Sequence, residues 1–267
     1  MPERIVLTGA AGGMGRLMRP RLARPGRSLR LVDIAPLAPP DPDEDVDTVQ
    51  ASVADLPAME RACEGADALI HLGGLSTEGP WEQILETNIH GTYVVLEAAR
   101  RSGVPRVILA SSSHAVGFHP RQASEVPDYL FPRPDTFYGV SKAAGEALGS
   151  LYHDRYGLDV ICLRIGACRE KPSLPRQLAT WLSPDDGARL LEAALTAPAP
   201  GFRVAWGVSA NTRRWFSLAE AHELGYRPRD DAEQYAAGLD GEPADGLDNV
   251  YLGGTFCSPE LDAEITP

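Results

Sequence analysis

The sequence predicts an α/β protein: a doubly wound parallel sheet with helices on both faces and a small C-terminal extension. Three observations carry that prediction. Short apolar runs alternate with longer segments of helical period about six times, the pattern of parallel strands joined by crossover helices. The first run ends in a Gly-rich turn and passes into an amphipathic stretch. The chain has 267 residues, 43% hydrophobic and 23% charged, enough for a sizeable core without metal or disulfide support.

Strand-like runs fall at residues 4–8, 29–32, 47–50, 68–72, 106–110 and 159–163. Residues 14–23, 56–64, 81–102 and 138–156 read as the helices between them. Right-handed crossovers then wind helices over both faces. Residues 35–45, rich in Pro and acid, read as an exposed loop whose charges are solvated. A second Pro-rich stretch, 119–134, lies between the fifth strand and its helix, at the carboxyl ends of the strands, where ligands bind in such sheets. Beyond Ile165 the pattern loosens. Residues 183–197 read as a helix with Ser183 as N-cap, Pro184 at the first position, and Asp185 and Asp186 in the first turn. Residues 203–206 read as a strand, and the last stretch is Gly-, Pro- and Asp-rich with weak periodicity.

Composition excludes several classes. With 25 basic and 37 acidic residues the net charge is −12, which argues against a nucleic-acid binder. It leaves room for a small anionic substrate, because one placed Arg can hold a carboxylate. No window approaches ~18 uncharged apolar residues, so no membrane span is expected. The four cysteines form neither C-x-x-C nor a zinc spacing, so no metal is expected; Cys63 and Cys162 read as small core residues. No leader pattern precedes the first strand, and a reducing, cytoplasmic location is the expectation.

Thr8-Gly9-Ala10-Ala11-Gly12-Gly13-Met14-Gly15 forms G-x-x-G-x-x-G between a strand and a helix. Gly9 permits the tight turn, Gly12 lets the backbone approach a pyrophosphate, and Gly15 lets helix and strand pack closely. The phosphates would sit at the helix N-terminus, where free N–H groups favour anions. Asp33 ends the second strand, 18 residues after Gly15. It would accept from the ribose hydroxyls and repel a 2′-phosphate, favouring NAD over NADP; its other reading is a turn aspartate at a strand end. Tyr138 and Lys142, in Y-x-x-x-K, open a helical stretch and share one face. A nearby cation favours phenolate, so Lys142 is expected to lower the Tyr138 pKa toward neutrality.

Taken in order, the glycine motif, the strand-end Asp, Asn88 on the fourth helix, the Ser111–Ser113 cluster and Y-x-x-x-K resemble the extended short-chain dehydrogenases/reductases, over essentially the whole chain. The resemblance implies a Rossmann fold, with residues 1–166 as an NAD-binding core and 167–267 as a smaller substrate-capping part of one domain. It implies Tyr138 as acid/base and Lys142 as holder of the nicotinamide ribose. It also implies Asn88 as the active-site Asn, and a Ser at the substrate oxygen, for which Ser112 and Ser113 are both candidates. Gly13, Met14, Ile34, Ile165 and the turn at Leu72, Gly73 and Gly74 would line the cofactor.

Longer runs resemble the uronate dehydrogenase family. These are H-L-G-G-L-S-T-E-G-P-W-E-Q-I-L from His71, A-S-S-S-H-A-V-G from Ala110, R-I-G-A-C from Arg164, T-W-L-S-P-D-D from Thr180 and G-G-T-F from Gly253. Its members oxidise the anomeric carbon of galacturonate or glucuronate to an aldarolactone with NAD. The resemblance implies that Ser76, Ser112, Ser113 and His114 meet the sugar and that Arg176 pairs with its carboxylate. Ser52 and Val53 stand where the family has an Asp-Leu pair at the adenine, with Asp55 close by. Self-association through helices 81–102 and 138–156 is implied as well.

Blander readings compete. Arg176 could be a solvated loop residue and His114 a polar loop residue. Tyr152 and Tyr156 fit a packing stripe, and Trp81, Trp181, Trp206 and Trp215 fit core or lid packing. The alternative function is an NAD-dependent nucleotide-sugar epimerase or dehydratase, although only ~100 residues follow Ile165, few for a lobe gripping a nucleotide diphosphate. A non-catalytic NAD sensor would have no need of Tyr138, Lys142 and the Ser cluster together.

Overall fold

The computed structural model describes residues 3–42, 44–121, 125–239 and 246–263. Its strands are β1 (Glu3–Thr8), β2 (Arg27–Asp33), β3 (Val46–Gln50), β4 (Ala68–His71), β5 (Arg106–Ser112), β6 (Asp159–Ile165), β7 (Ala167–Cys168), β8 (Trp181–Leu182) and β9 (Phe202–Gly207). Seven of them form one parallel sheet in the order β3-β2-β1-β4-β5-β6-β9, and β7 pairs with β8 beside it. The α-helices are α1 (Gly13–Leu22), α2 (Leu56–Cys63), α3 (Trp81–Gln83), α4 (Gly91–Arg101), α5 (Phe137–Tyr156), α6 (Gln177–Thr180), α7 (Pro184–Thr196), α8 (Ala219–Glu223) and α9 (Glu260–Ala263).

Side-chain alternation in the strands builds two cores. Ile5, Leu7, Ile70, Ile108 and Ile161 face α1 and α7, packing on Met18, Leu22, Leu190 and Leu191. Val6, Leu69, Val107 and Val160 face the opposite layer, packing on Met59, Val95, Ala99 and Tyr152 from α2, α4 and α5. Cys63 and Cys162 are buried in that second core, and all four cysteines are free. Ser183 caps α7 by accepting from Asp186 N at 2.9 Å, with Pro at the first position.

Several elements differ from the sequence reading. Residues 81–102 are not one uniform α-helix. A π-helical segment, Ile84–His90, separates α3 from α4, and the Thr92 hydroxyl donates to the Asn88 carbonyl at 2.6 Å. The two-residue strands β7 and β8 and the four-residue α6 are too short to show a period. Part of the acidic loop 35–45 is pinned rather than solvated. Arg19 pairs with Glu44 at 2.6 Å, which lowers that carboxyl's pKa, and donates to the Ala38 and Pro39 carbonyls. Position 43 of this loop and positions 122–124 of the 119–134 loop lie outside the described residues. The outer strand β9 and the helix α7 come from the C-terminal part and complete the sheet and its covering layer.

Among the described residues no helix is long and apolar enough to cross a membrane, and no group of three His, Cys, Asp or Glu could hold a metal. The strand order reverses at β1 and β4, so a crevice opens beyond their carboxyl ends.

Behind that crevice His71 is buried between the hydroxyls of Thr8 (2.8 Å) and Thr92 (3.3 Å). Burial, helped by the charge of Lys142, pushes its pKa from 6.5 down to about 3. The folded protein therefore keeps His71 neutral where the unfolded chain protonates, so stability falls as pH drops below the unfolded value. Urea unfolding between about pH 6 and pH 4 is expected to show this group removing ~1.4 kcal/mol per pH unit. His71→Gln should flatten that slope by one proton; an unchanged slope would place the acid sensitivity elsewhere.

Candidate active site

The crevice is built first from glycines. Gly9 has φ +69°, and a Cβ there would lie 2.6 Å from Gly73 N, so the turn after β1 runs directly against the turn after β4. A Cβ on Gly15 would come 2.2 Å from the Gly9 carbonyl, which is why α1 can start this close to the turn. Gly12 caps α1 with no side-chain hydrogen bond, and the first turn holds no acid, so the helix N-terminus presents bare N–H groups and positive potential. Asp33 serves as a turn aspartate here: its carboxylate accepts from Ala11 N and Ala35 N, both at 2.9 Å. It also lines the cleft, beside the exposed Ile34. Val53 packs under Gly73 and Gly91. Asp55, the acid nearest Ser52 and Val53, is used as the cap of α2 through Ala58 N.

The cleft measures about 1340 Å³ and runs from the glycine turn to Arg176. Gly9, Gly12, Gly13, Met14, Gly15, Asp33, Ile34, Ser52, Val53, Leu72, Gly73, Gly74 and Ile165 line it, as do Ser76, Ser112, Ser113, His114, Tyr138, Lys142 and Arg176. Asn88 is the predicted residue that does not. It sits behind the wall on the π segment, accepting from Leu75 N (2.8 Å) and donating to Leu75 O (3.0 Å) and Ser141 Oγ (3.1 Å). Its amide thus ties the Gly74–Leu75 turn to α5, a role that follows from its burial.

Thr136 caps α5 through Gly139 N, which puts Tyr138 and Lys142 in the opening turns of the helix. A Cβ on Gly139 would lie 2.4 Å from the His114 carbonyl, so this end of α5 rests on the turn after β5. Lys142 Nζ donates to the Ala110 carbonyl at 2.7 Å and lies 5.4 Å from the centre of the Tyr138 ring. Burial lowers Lys142 to about 8. Burial also raises Tyr138, to about 12, against the opposing hydrogen bond with Ser112. This reverses the expected direction for Tyr138. The shared face is real, but burial of the phenol sets the direction, and the Asp135 charge adds to it. Between the two candidate serines, Ser112 makes the hydrogen bond to Tyr138. Ser111 turns away, donating to Glu146 (2.6 Å), which pairs with the buried Arg164 at 2.7 Å.

At the far end, His114 is bonded to Asp135 at 2.7 Å and stacked on Phe256 at 4.0 Å. Arg176 is no solvated loop residue. Its side chain is only 15% exposed, it donates to the Leu252 carbonyl, and it lies 3.7 Å from the Asp248 carboxylate and 4.9 Å from the Trp215 ring. Burial lowers its pKa, with Asp248 opposing. Ser76 is exposed on the rim. Trp206 stacks on Phe216 in the core, Trp81 meets Phe137, Trp181 meets Tyr235, and Tyr152 donates to Glu97, all outside the chemistry. Sequence reasoning missed Asp135, Phe256 and Glu78, which accepts from Tyr138 N at 2.7 Å. Only Asp135 left a signal, as an acid placed just before a helix cap.

The profile of the NAD dependent epimerase/dehydratase family matches residues 5–168. The chain is 44% identical over 258 residues to uronate dehydrogenase of Pseudomonas putida, covering 95% of each chain. Among solved structures it is similar to a mutant uronate dehydrogenase from Agrobacterium tumefaciens complexed with NAD, at TM-score 0.89 and 41% identity over 96% of this chain and 97% of that one. It is equally similar, at TM-score 0.89 and 39% identity over the same shares, to glucuronic acid dehydrogenase from Chromohalobacter salexigens.

Proposed function

The chain belongs to the NAD dependent epimerase/dehydratase family and, within it, to the uronate dehydrogenases, and from that premise we propose that it oxidises C1 of hexuronates such as D-galacturonate and D-glucuronate to aldarolactones with NAD. The observation that carries the reading is the buried guanidinium of Arg176 in the same cleft as the glycine turn, Tyr138 and Ser112. It is a carboxylate anchor at the end of a nucleotide site.

NAD fits the near half of the cleft. The uncapped α1 N-terminus suits a pyrophosphate, Gly13 has no atom within 4 Å of where a Cβ would stand, and Asp33 at the lip suits ribose hydroxyls and opposes a 2′-phosphate. When bound, NAD supplies the hydride acceptor. Ser112 holds the C1 hydroxyl beside Tyr138, and Tyr138 as phenolate takes its proton. A cation beside the ring favours phenolate, so Lys142, 5.4 Å from the ring centre, together with an oxidised nicotinamide would oppose the burial that raises the phenol. Arg176 orients the sugar through a bidentate pair with its carboxylate. Ser76 and His114 contact the ring, and Asn88 holds the turn over which the cofactor passes. The part up to residue 166 carries the NAD half of the cleft, and the part beyond it supplies Arg176 as well as β9 and α7, which complete the sheet and its covering layer.

The test is NADH absorbance on mixing the protein and NAD with galacturonate, glucuronate, galactose or glucose. Rapid reaction of the uronates alone is expected. Equal reaction of the neutral sugars would discard the carboxylate anchor, and no NADH from any uronate would overturn the reading. We also place the protein in the cytoplasm, where its four free cysteines stay reduced. Self-association would use α4 and α5, which expose Tyr93, Leu151 and Tyr156. Sedimentation velocity should then show a mass above 28.7 kDa; a lone monomer would exclude it.

A further inference from the structure

The bond between His114 and Asp135 has unequal ends. The imidazole lines the sugar end of the cleft, whereas the Asp135 side chain has no solvent exposure at all. A carboxylate is retained in such a place when its oxygens are hydrogen-bonded. Here the His114 Nδ1 lies 2.7 Å from Oδ2, and the Thr136 hydroxyl donates to Oδ1 at 3.1 Å. Two glycines make room for it: a Cβ on Gly117 would lie 1.8 Å from Oδ2, and one on Gly253 1.9 Å. Gly253 N donates to Gly117 O at 2.9 Å, and Phe256, three residues further on, covers the His114 ring at an interplanar angle of 25°. Tyr138 meets the same ring edge-on, 5.8 Å between centres.

An ionised carboxylate only accepts, so the ring nitrogen facing it carries hydrogen, and in the neutral imidazole the other nitrogen is left bare. We propose that Asp135 is a positioning residue: it holds His114 as the Nδ1–H tautomer, so that Nε2 meets the substrate as an acceptor for a sugar hydroxyl, and its seat between Gly117 and Gly253 keeps Phe256 on the ring. The proposal rests on reading the far end of the cleft as a sugar site. Asp135 itself touches no substrate; it acts on the sugar through His114, while its charge also raises the Tyr138 phenol. An acceptor fixed in this way selects for a hydroxyl at that point, because an analogue lacking it leaves Nε2 unpaired.

Nitrogen-15 NMR of histidine-labelled protein reads the tautomer directly. The chain has 6 His, and His114→Gln assigns the signal. At a pH where the ring holds a single proton, wild type is expected to show a protonated Nδ1 and a bare Nε2 for His114, and Asp135→Asn should move both toward the averaged values of a ring exchanging between tautomers. A His114 protonated only at Nε2, or a pattern that Asp135→Asn leaves in place, overturns the proposal. Because this signal is independent of which sugar reacts, its failure is distinct from failure of the uronate reading. In steady-state assays with galacturonate, Asp135→Asn and His114→Gln should each raise KM at least about tenfold with NAD affinity retained. In the His114→Gln background, Asp135→Asn should leave KM where it is, any change in kcat reflecting its charge on Tyr138; a further additive rise in KM would mean that Asp135 reaches the sugar by another route. The wild-type spectrum decides the tautomer even where Asp135→Asn does not fold.

Discussion

Tyr138→Phe is expected to lower kcat by at least ~100-fold while NAD binding is retained. The substitution removes one hydroxyl and keeps the ring, its edge contact with His114 and the backbone bond from Tyr138 N to Glu78. What disappears is the oxygen that shares a hydrogen bond with Ser112. The wild-type enzyme has a second signature. Burial raises the phenol, and phenolate is the working form, so kcat/KM should rise with pH from neutrality upward and fall as pH drops. The Phe variant should lose that rising limb. Retained turnover, measured by NADH absorbance alongside NAD titration by calorimetry, would remove Tyr138 from the mechanism.

Arg176→Ala should reduce kcat/KM for galacturonate by on the order of 100-fold or more, the scale of losing one partner of a desolvated charge pair. NAD affinity should hold. Because Arg176 also donates to the Leu252 carbonyl and lies over Trp215, its removal loosens the segment around Leu252. Arg176→Lys separates the two roles: it keeps a cation but not the planar fork, and should fall between wild type and Ala for uronates. A loss of NAD affinity equal to the loss of uronate turnover would make Arg176 a structural residue.

The fold was legible because its signals are local. The central strands are short apolar runs, and the glycine turn needs small residues where neighbouring backbone approaches: a Cβ on Gly9 or Gly15 would overlap main-chain atoms. Site residues that work through one helix face, such as Tyr138 and Lys142, were legible for the same reason. Solvation was not. Spacing says which groups face each other, and only the packed protein says that burial raises the Tyr138 phenol. From the residues alone Arg176 could equally be a solvated loop residue, and only the resemblance singled it out, because its partners, Asp248 and Leu252, lie more than 70 positions further along the chain. Asn88 was expected within one helix, but it lies on a π segment between α3 and α4, which leaves no periodic trace in so short a span.

The strand order has a consequence for how the molecule is made. As the chain leaves the ribosome β1 comes first; β2 and then β3 add on one side of it, and β4, β5, β6 and β9 add in turn on the other. Each new strand docks on an edge that already exists, and none has to be inserted between two partners. The order is compatible with outward growth of the sheet during synthesis, with no strand inserted between two others. The glycine turn, Asp33 and the turn after β4 can meet before Tyr138 has been translated, so the nucleotide half of the cleft is in place when the half that performs the chemistry arrives.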